Sequence, residues 1–330
     1  MGSLPIGLSA SRGAAILGMS KWSTPFETWQ KIKEEQQPGF NKAHGYVLPE
    51  FKDTPFLHWG HAFEDAVIKL AEKTQHSKII DREKAYVFKD FITCHIDGKY
   101  KTGAYLHEGK TTNAFIFNNS WGDPGSNRIP REYNIQTQHQ MLCTGAYEVI
   151  VSVLVFPRMV TDWEAAGWYP GHAGSKWYLQ NDKLKSGIKP YRWAEILSEM
   201  GYFHQYHIKR NQELIDLMIK KYADFWADHI ITDIPPEPKN YDDIKRLCPE
   251  PKGTIVASDQ VERWCYEYKE IGEELGTKGT LKKRREQLKV MILDWMRKQD
   301  SCIDDDSRER TILRNSRGNK LIGFNGKMLR

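Results

Sequence analysis

Asp97 stands in Ile96-Asp97-Gly98, and ten residues later the chain reads Glu108-Gly109-Lys110. Side chains two apart on a strand share a face, so Glu108 and Lys110 point together, and a hairpin can fold Asp97 against them. Two carboxylates and an ammonium then converge. Hard oxygen donors of this kind suit Mg²⁺, which keeps several waters and binds phosphate oxygens, and no convergent Cys and His pattern points to zinc. A bound cation would withdraw charge from a phosphoryl oxygen and lower the pKa of a water, while the lysine orients that water or stabilises an anionic transition state. Glu64, on a preceding helix, offers a further carboxylate, placed at the water shell or at a second metal about 3.5 to 4 Å from the first. Spacing alone leaves a second reading open, because charged residues make up 28% of the chain. In that reading Asp97 caps a turn before Gly98, and Glu108 and Lys110 are a solvated strand face with a weak ion pair.

The elements that must position these groups follow from periodicity. Ser11 to Ile32 reads as two short helices broken at Ser23-Thr24-Pro25, the second starting at Pro25 behind a hydroxyl cap. Ala62 to Lys73 carries the apolar stripe of an amphipathic helix, with Glu64 near its start. Residues 85 to 117 predict a small antiparallel sheet, 132 to 147 a helix, and Val149 to Phe156 a buried central strand. The Trp and Gly-rich stretch from Thr161 to Tyr191 has no clear period and is expected to be loop. Asn211 to His229 predicts a helix stopped by Ile234-Pro235-Pro236. Beyond it, 258 to 276 and 281 to 298 predict a helical hairpin, and 308 to 324 a short β-hairpin. The expected organisation is a main globular domain over 1–232, a linker over 233–257 and an appendage over 258–330.

Composition bounds the rest. Hydrophobic content of 40%, with 11 Trp and 15 Tyr among 330 residues, is ample for a large core, and a net charge of +5 is compatible with one locally basic face without requiring a polyanionic partner. The five cysteines, Cys94, Cys143, Cys248, Cys265 and Cys302, include no C-x-x-C pair, which disfavours structural disulfides, zinc and an iron–sulfur cluster. With no signal-like opening and no long apolar run, the expectation is a soluble protein of a reducing compartment with no membrane partner.

Four motifs follow in order: Trp59-Gly60-His61-Ala62-Phe63-Glu64, His95-Ile96-Asp97-Gly98, Glu108-Gly109-Lys110-Thr111-Thr112, and Tyr133-Asn134-Ile135-Gln136-Thr137-Gln138-His139, ahead of the apolar strand 149–156. Over residues 8 to 230 this set resembles the YqaJ-like viral recombinases and lambda exonuclease, within the PD-(D/E)xK nuclease superfamily. The resemblance implies an α/β restriction-endonuclease-like core, a mixed central sheet flanked by helices, with the C-terminal helical hairpin appended. It implies that Asp97, Glu108 and the Gly109 carbonyl hold one or two Mg²⁺ ions, with Mn²⁺ as a substitute, that Glu64 lies close to the metals, and that Lys110 is the catalytic lysine. Gln136 matches a glutamine over the active site, and Tyr133 lies on the same helix face. Gly7-Leu8-Ser9-Ala10-Ser11 resembles the segment that holds the terminal phosphate of DNA, with Ser11 as the matching residue. The arginine expected before it is absent, and Arg12 is the nearest substitute. At the Gly109 position an apolar residue or Cys is common in the family.

The function implied is Mg²⁺-dependent 5′ to 3′ exonucleolysis of linear double-stranded DNA, leaving 3′ single strands for phage-type recombination. The implied partners are DNA ends, a single-strand annealing protein and further copies of the chain, in the host cytoplasm. The rivals are an endonuclease or structure-specific nuclease of the same fold and, in another class, a catalytically idle DNA-binding module. Lys278, Lys282, Lys283, Arg284 and Arg285, with Arg308, Arg310, Arg314 and Arg317, form either a solvated face or a set of phosphate-backbone contacts. Trp264 and Trp295 are read as packing of the hairpin.

Overall fold

The computed structural model describes residues 5–49, 54–173, 176–181, 186–249, 254–274, 279–300, 312–314, 316–317 and 320–323. The chain divides into two compact units, one of Met1–Ser20 with Phe51–Asp224 and one of Lys21–Glu50 with Phe225–Arg330.

The first unit opens with β1 (Leu8–Ser9), a 3-10 turn (Ala10–Arg12) and α1 (Gly13–Ile16). The chain then contributes α2 (Pro25–Gln36) and α3 (Phe40–Ala43) to the other unit. As the sequence predicts, α2 starts at Pro25 behind a cap: the Thr24 hydroxyl accepts from the Glu27 N–H at 3.0 Å. The first unit resumes with α4 (Pro55–Gln75), whose buried stripe of Trp59, Ala62, Phe63, Ala66, Val67 and Leu70 carries the expected helical period.

Next come β2 (Ile79–Ile80), β3 (Lys84–Phe88), β4 (Ile92–Ile96), β5 (Gly98–Tyr100) and β6 (Tyr105–Asn113). They do not form the single antiparallel sheet expected over 85 to 117. β1, β4 and β3 make one three-stranded sheet, and β5 and β6 enter another. Residues 114 to 117 leave the sheet altogether, because the Asn113 side chain accepts from the Ile116 N–H at 2.9 Å and caps a helix, α5 (Ala114–Ser120). After α6 (Arg131–Thr144) the chain returns through β7 (Glu148–Phe156), parallel to β6, as a helical crossover allows. Every residue of β7 from Val149 to Phe156 is buried. This is the continuous β-branched run of a strand covered on both faces.

Residues 161 to 191, expected as loop, are instead α7 (Val160–Ala165), an antiparallel meander of β8 (Trp168–Ala173), β9 (Lys176–Asn181) and β10 (Ser186–Ile188), and the start of α8 (Pro190–Glu199). Here tryptophan packing replaces sequence period: Trp163, Trp168 and Trp193 cluster with Trp59, and the Trp163 and Trp193 rings lie 4.1 Å apart. β11 (Phe203–Lys209) then pairs antiparallel with β7, completing a central mixed sheet in the order β11-β7-β6-β5-β2, flanked by helices. α9 (Gln212–Phe225) follows, and the predicted helical span continues as a π-helical segment, Trp226–Ile231.

In the second unit, the segment expected as a linker over 233–257 carries α10 (Tyr241–Leu247) and β12 (Thr254–Val256). The Pro-rich stop is followed by a capping residue, Asn240, which accepts from the Asp243 N–H at 2.8 Å, and buried Asp243 accepts from the Thr24 hydroxyl at 2.8 Å. α11 (Asp259–Glu274) and α12 (Gly279–Asp300) pack through Cys265, Leu288, Ile292 and Met296, with Trp264 and Trp295 against that core. β13 (Ile312–Arg314) pairs antiparallel with β14 (Lys320–Gly323) and parallel with β12. Of the basic cluster, Arg284 is held by Glu267 at 2.6 and 2.9 Å and Arg285 lies 4.6 Å from the Tyr268 ring, so both serve the hairpin. Lys278, Arg308, Arg310 and Cys302 lie outside the described residues. Among the described residues no helix is long and apolar enough to cross a membrane.

α6 is tied to β4 by a buried histidine. The Thr93 carbonyl can only accept, so His139 Nε2, at 3.0 Å, carries the proton, and Nδ1 accepts from the Tyr222 hydroxyl at 3.2 Å. Burial pushes the imidazole pKa from 6.5 down to about 4. A depressed histidine stabilises the fold fully above its unfolded pKa and ceases to do so as pH falls through the folded value. The melting-temperature difference between wild type and His139→Gln should therefore shrink from pH 6.5 to pH 4. A difference independent of pH would contradict this role.

Candidate active site

β6 presents Glu108 and Lys110 on one face, and α6 crosses that face with Tyr133, Gln136 and Gln140, spaced i, i+3 and i+7 along a single helix stripe. Glu108 is only 1% exposed, which excludes the solvated-strand reading of this residue. Its Oε1 accepts from the Lys110 ammonium and, at 2.7 Å, from Gln136 Nε2, while its Oε2 accepts from Gln140 Nε2 at 2.5 Å. The Lys110 nitrogen lies 4.9 Å from the centre of the Tyr133 ring.

Asp97 occupies the single position between β4 and β5, where the chain passes from one sheet to the other. Gly98 permits that passage: its φ is +153°, and a Cβ there would sit 2.3 Å from Ile79 Cγ2. The β5–β6 ladder ends at the pair Gly98 and His107, leaving the Gly109 N–H beyond it, and Asp97 Oδ2 accepts that N–H at 2.8 Å. A strand residue directs its N–H and C=O to the same edge, so the Gly109 carbonyl faces the Asp97 side as well.

Burial raises the Asp97 pKa above its usual value, and Glu64 adds to the effect against the opposing Lys110 and the Gly109 N–H. Burial likewise raises Glu108, with the Asp97 charge second and the Lys110 ammonium opposing. Burial works against the Lys110 ammonium, but Glu108 and then Asp97 outweigh it and hold the pKa above the ordinary lysine value. Buried Glu108 and half-buried Asp97, whose charge raises the Glu108 pKa, form a hard-oxygen pair suited to a divalent cation. Among the described residues no group of three or more His, Cys, Asp or Glu side chains is arranged to hold a metal ion. Glu64, half-buried on α4, thus acts on Asp97 through its charge without completing such a set.

The electrostatics have a measurable consequence. A carboxylate whose pKa is raised by folding stabilises the fold below its unfolded pKa of 3.8 and loses that contribution as pH rises through the folded value. Asp97→Asn keeps an oxygen for the Gly109 N–H and removes the buried charge. In metal-free protein it should melt a few degrees higher than wild type at pH 8, with the gap closing toward pH 4; a lower melting temperature at pH 8 would refute this account.

The remaining predicted residues lie on the N-terminal segment. The 3-10 turn and α1 pack on α6. Ser11 is exposed, with its hydroxyl 3.2 Å from that of Ser9, and Arg12 donates to the Gly7 carbonyl at 3.0 Å. Sequence reasoning missed Gln140, although it lies one turn beyond Gln136, and His107. The latter flanks Glu108 on the opposite face of β6, and burial lowers its pKa to about 4. His107 Nδ1 lies 3.3 Å from the Tyr100 hydroxyl, and its buried Nε2 has no partner.

Residues 5–147, a span that includes every site residue named above, match the YqaJ-like viral recombinase domain. The chain is 25% identical over 230 residues to the uncharacterized protein YqaJ of Bacillus subtilis (strain 168), a match covering 68% of this chain. It spans about half of that relative's length, 54%. Among solved structures, the chain is similar to an alkaline exonuclease of Laribacter hongkongensis (13% identity, 68% of this chain and 88% of that one, TM-score 0.44). It is also similar to a phage related exonuclease of Haemophilus somnus 129PT (16% identity, 69% of this chain and 96% of that one, TM-score 0.41).

Proposed function

We propose that this YqaJ-like chain is a metal-dependent deoxyribonuclease that hydrolyses phosphodiester bonds from the ends of linear double-stranded DNA. The observation that carries the reading is the buried Glu108, gripped by Lys110, Gln136 and Gln140 and set beside a half-buried second carboxylate, Asp97. Holding two carboxylates whose pKa values are both raised costs stability, and such strain is concentrated at functional sites.

Asp97, Glu108 and the Gly109 carbonyl would hold Mg²⁺, or Mn²⁺ in its place, with Glu64 adding negative charge nearby. When bound, the cation supplies Lewis acidity toward a phosphoryl oxygen and lowers the pKa of a water. Lys110 keeps its proton and faces the anionic phosphoryl group, orienting the attacking water and offsetting charge that grows in the transition state. Gln136 and Gln140 fix the Glu108 carboxylate so that it needs no reorganisation during the reaction. Tyr133 covers the ammonium and limits its motion. Ser11 and Arg12 would meet the terminal phosphate. Degradation in the 5′ to 3′ direction would leave 3′ single strands for an annealing protein in the host cytoplasm, where a viral recombinase acts.

The test is incubation with Mg²⁺ and equal amounts of linear and covalently closed circular duplex, with Glu108→Ala as control. Loss of the linear DNA alone, abolished by the substitution, is the expected result. Nicking of circles would replace it with an endonuclease, and cleavage of neither would end the catalytic reading.

A further inference from the structure

α5 follows the catalytic strand directly, beginning four residues after Lys110, and none of its residues is buried. Phe115 is 76% exposed and Ile116 44%. At the rise of a strand, five residues place Phe115 within roughly 17 Å of Lys110. A run of rings leads from Lys110 to α5. Tyr133 lies over the Lys110 ammonium, the Trp121 ring is 5.7 Å from Tyr133, and Phe117 stacks on Trp121 at 6.0 Å.

We propose that Phe115 and Ile116 form a platform on which bases of the strand entering the active site stack. The inference rests on the nuclease reading and adds to it the class of DNA engaged there, an unpaired terminal strand. Three observations select this occupant. A stable protein interface needs about 800 Å² on each partner, whereas here two apolar side chains stand beside exposed Asn118 and Asn119. Exposed Arg128 and Arg131 follow α5 closely in the chain: the Gly122 N–H donates to the Arg128 carbonyl at 2.8 Å just past α5, and Arg131 opens the 14-residue helix α6. Asp123 is the single acidic residue between 114 and 131. Flat apolar surface bordered by cations near a phosphate-cleaving centre is the combination that holds single strands, bases on the apolar side and phosphates on the basic side.

The test uses the full chain and a linear duplex carrying 2-aminopurine within its first nucleotides, bound in EDTA and then cleaved in Mg²⁺. In the Phe115→Ser, Ile116→Ser double variant the quenching of 2-aminopurine should disappear and KM for the linear duplex rise about tenfold, with kcat changed by less than about threefold. Phe115→Trp should preserve both. Thermal melts control for folding, which these exposed side chains should hardly affect. If wild type cuts DNA and the double variant keeps its KM and its quenching, the platform is refuted and the nuclease stands. If wild type neither binds nor cuts DNA, the nuclease reading falls and takes the platform with it. If the double variant loses mass in light scattering while its DNA affinity is untouched, the face joins copies of the chain and the proposal is overturned.

Discussion

Glu108→Gln should lower the turnover of linear duplex DNA by about a thousandfold, the rate equivalent of roughly 4 kcal/mol. The substitution keeps size and shape and changes two things. It removes the charge shared with Asp97, on which cation binding would depend. It also turns one oxygen into an amide nitrogen among groups that only donate, since Glu108 accepts from Lys110, Gln136 and Gln140. Either donor side then faces an N–H it cannot use. KM should move little, because the lost interaction serves the reacting phosphate more than the duplex. Steady-state rates on a linear fragment decide it, and a variant within tenfold of wild type would show that Glu108 is structural.

Gly7→Ala should lower stability by about 1 to 3 kcal/mol, as overpacking against immobile atoms does. A Cβ at Gly7 would sit 2.3 Å from the Phe91 carbonyl oxygen and 2.9 Å from its carbon. That oxygen accepts from the Leu8 N–H at 2.7 Å and so holds β1 to the edge of β4, the strand that leads into Asp97. Backbone cannot step aside as a side-chain tip can. Gly109→Ala provides the contrast. Its Cβ would meet Val67 Cγ1 at 3.4 Å and Asp97 Oδ2 at 3.6 Å, which is ordinary contact. Its stability should be unchanged or raised by about 0.4 to 1 kcal/mol through a less flexible unfolded chain. Denaturant midpoints for the two variants settle the comparison; equal losses would mean that neither site behaves as its geometry implies.

The candidate site groups were legible because strand geometry is local: Glu108 and Lys110 share a face by alternation, and a turn residue such as Gly98 marks where Asp97 folds back. α4 was legible over Ala62 to Lys73 by its apolar stripe, and β7 by its unbroken apolar run; the first turns of α4, with exposed Phe56 and Leu57, carry no such signal. Gln140 was not, because its stripe on α6 is polar and yet buried, and a buried polar residue looks like a surface one until its partner is known. The meander of β8 to β10 escaped notice because its core contacts come from large rings at irregular intervals. The parallel pairing of β6 with β7 depends on the crossover between them, which no window of a dozen residues contains.

The second unit combines residues 21–50 with residues 225–330, two stretches separated by most of the first unit. Within it, the Trp29 indole N–H donates to the His229 carbonyl at 2.9 Å, across 200 positions of chain. On a ribosome adding about 5 to 20 residues per second, α2 would wait roughly 10 to 40 s for the partner of its central tryptophan. During that interval Phe26, Trp29 and Ile32, fully buried in the finished protein, have only the nearby partners of their own stretch, among them Phe40 and Tyr46. The order of synthesis thus gives the nascent chain a sticky early segment, and its yield in the cell should depend on holdase chaperones more than the stability of the finished molecule suggests.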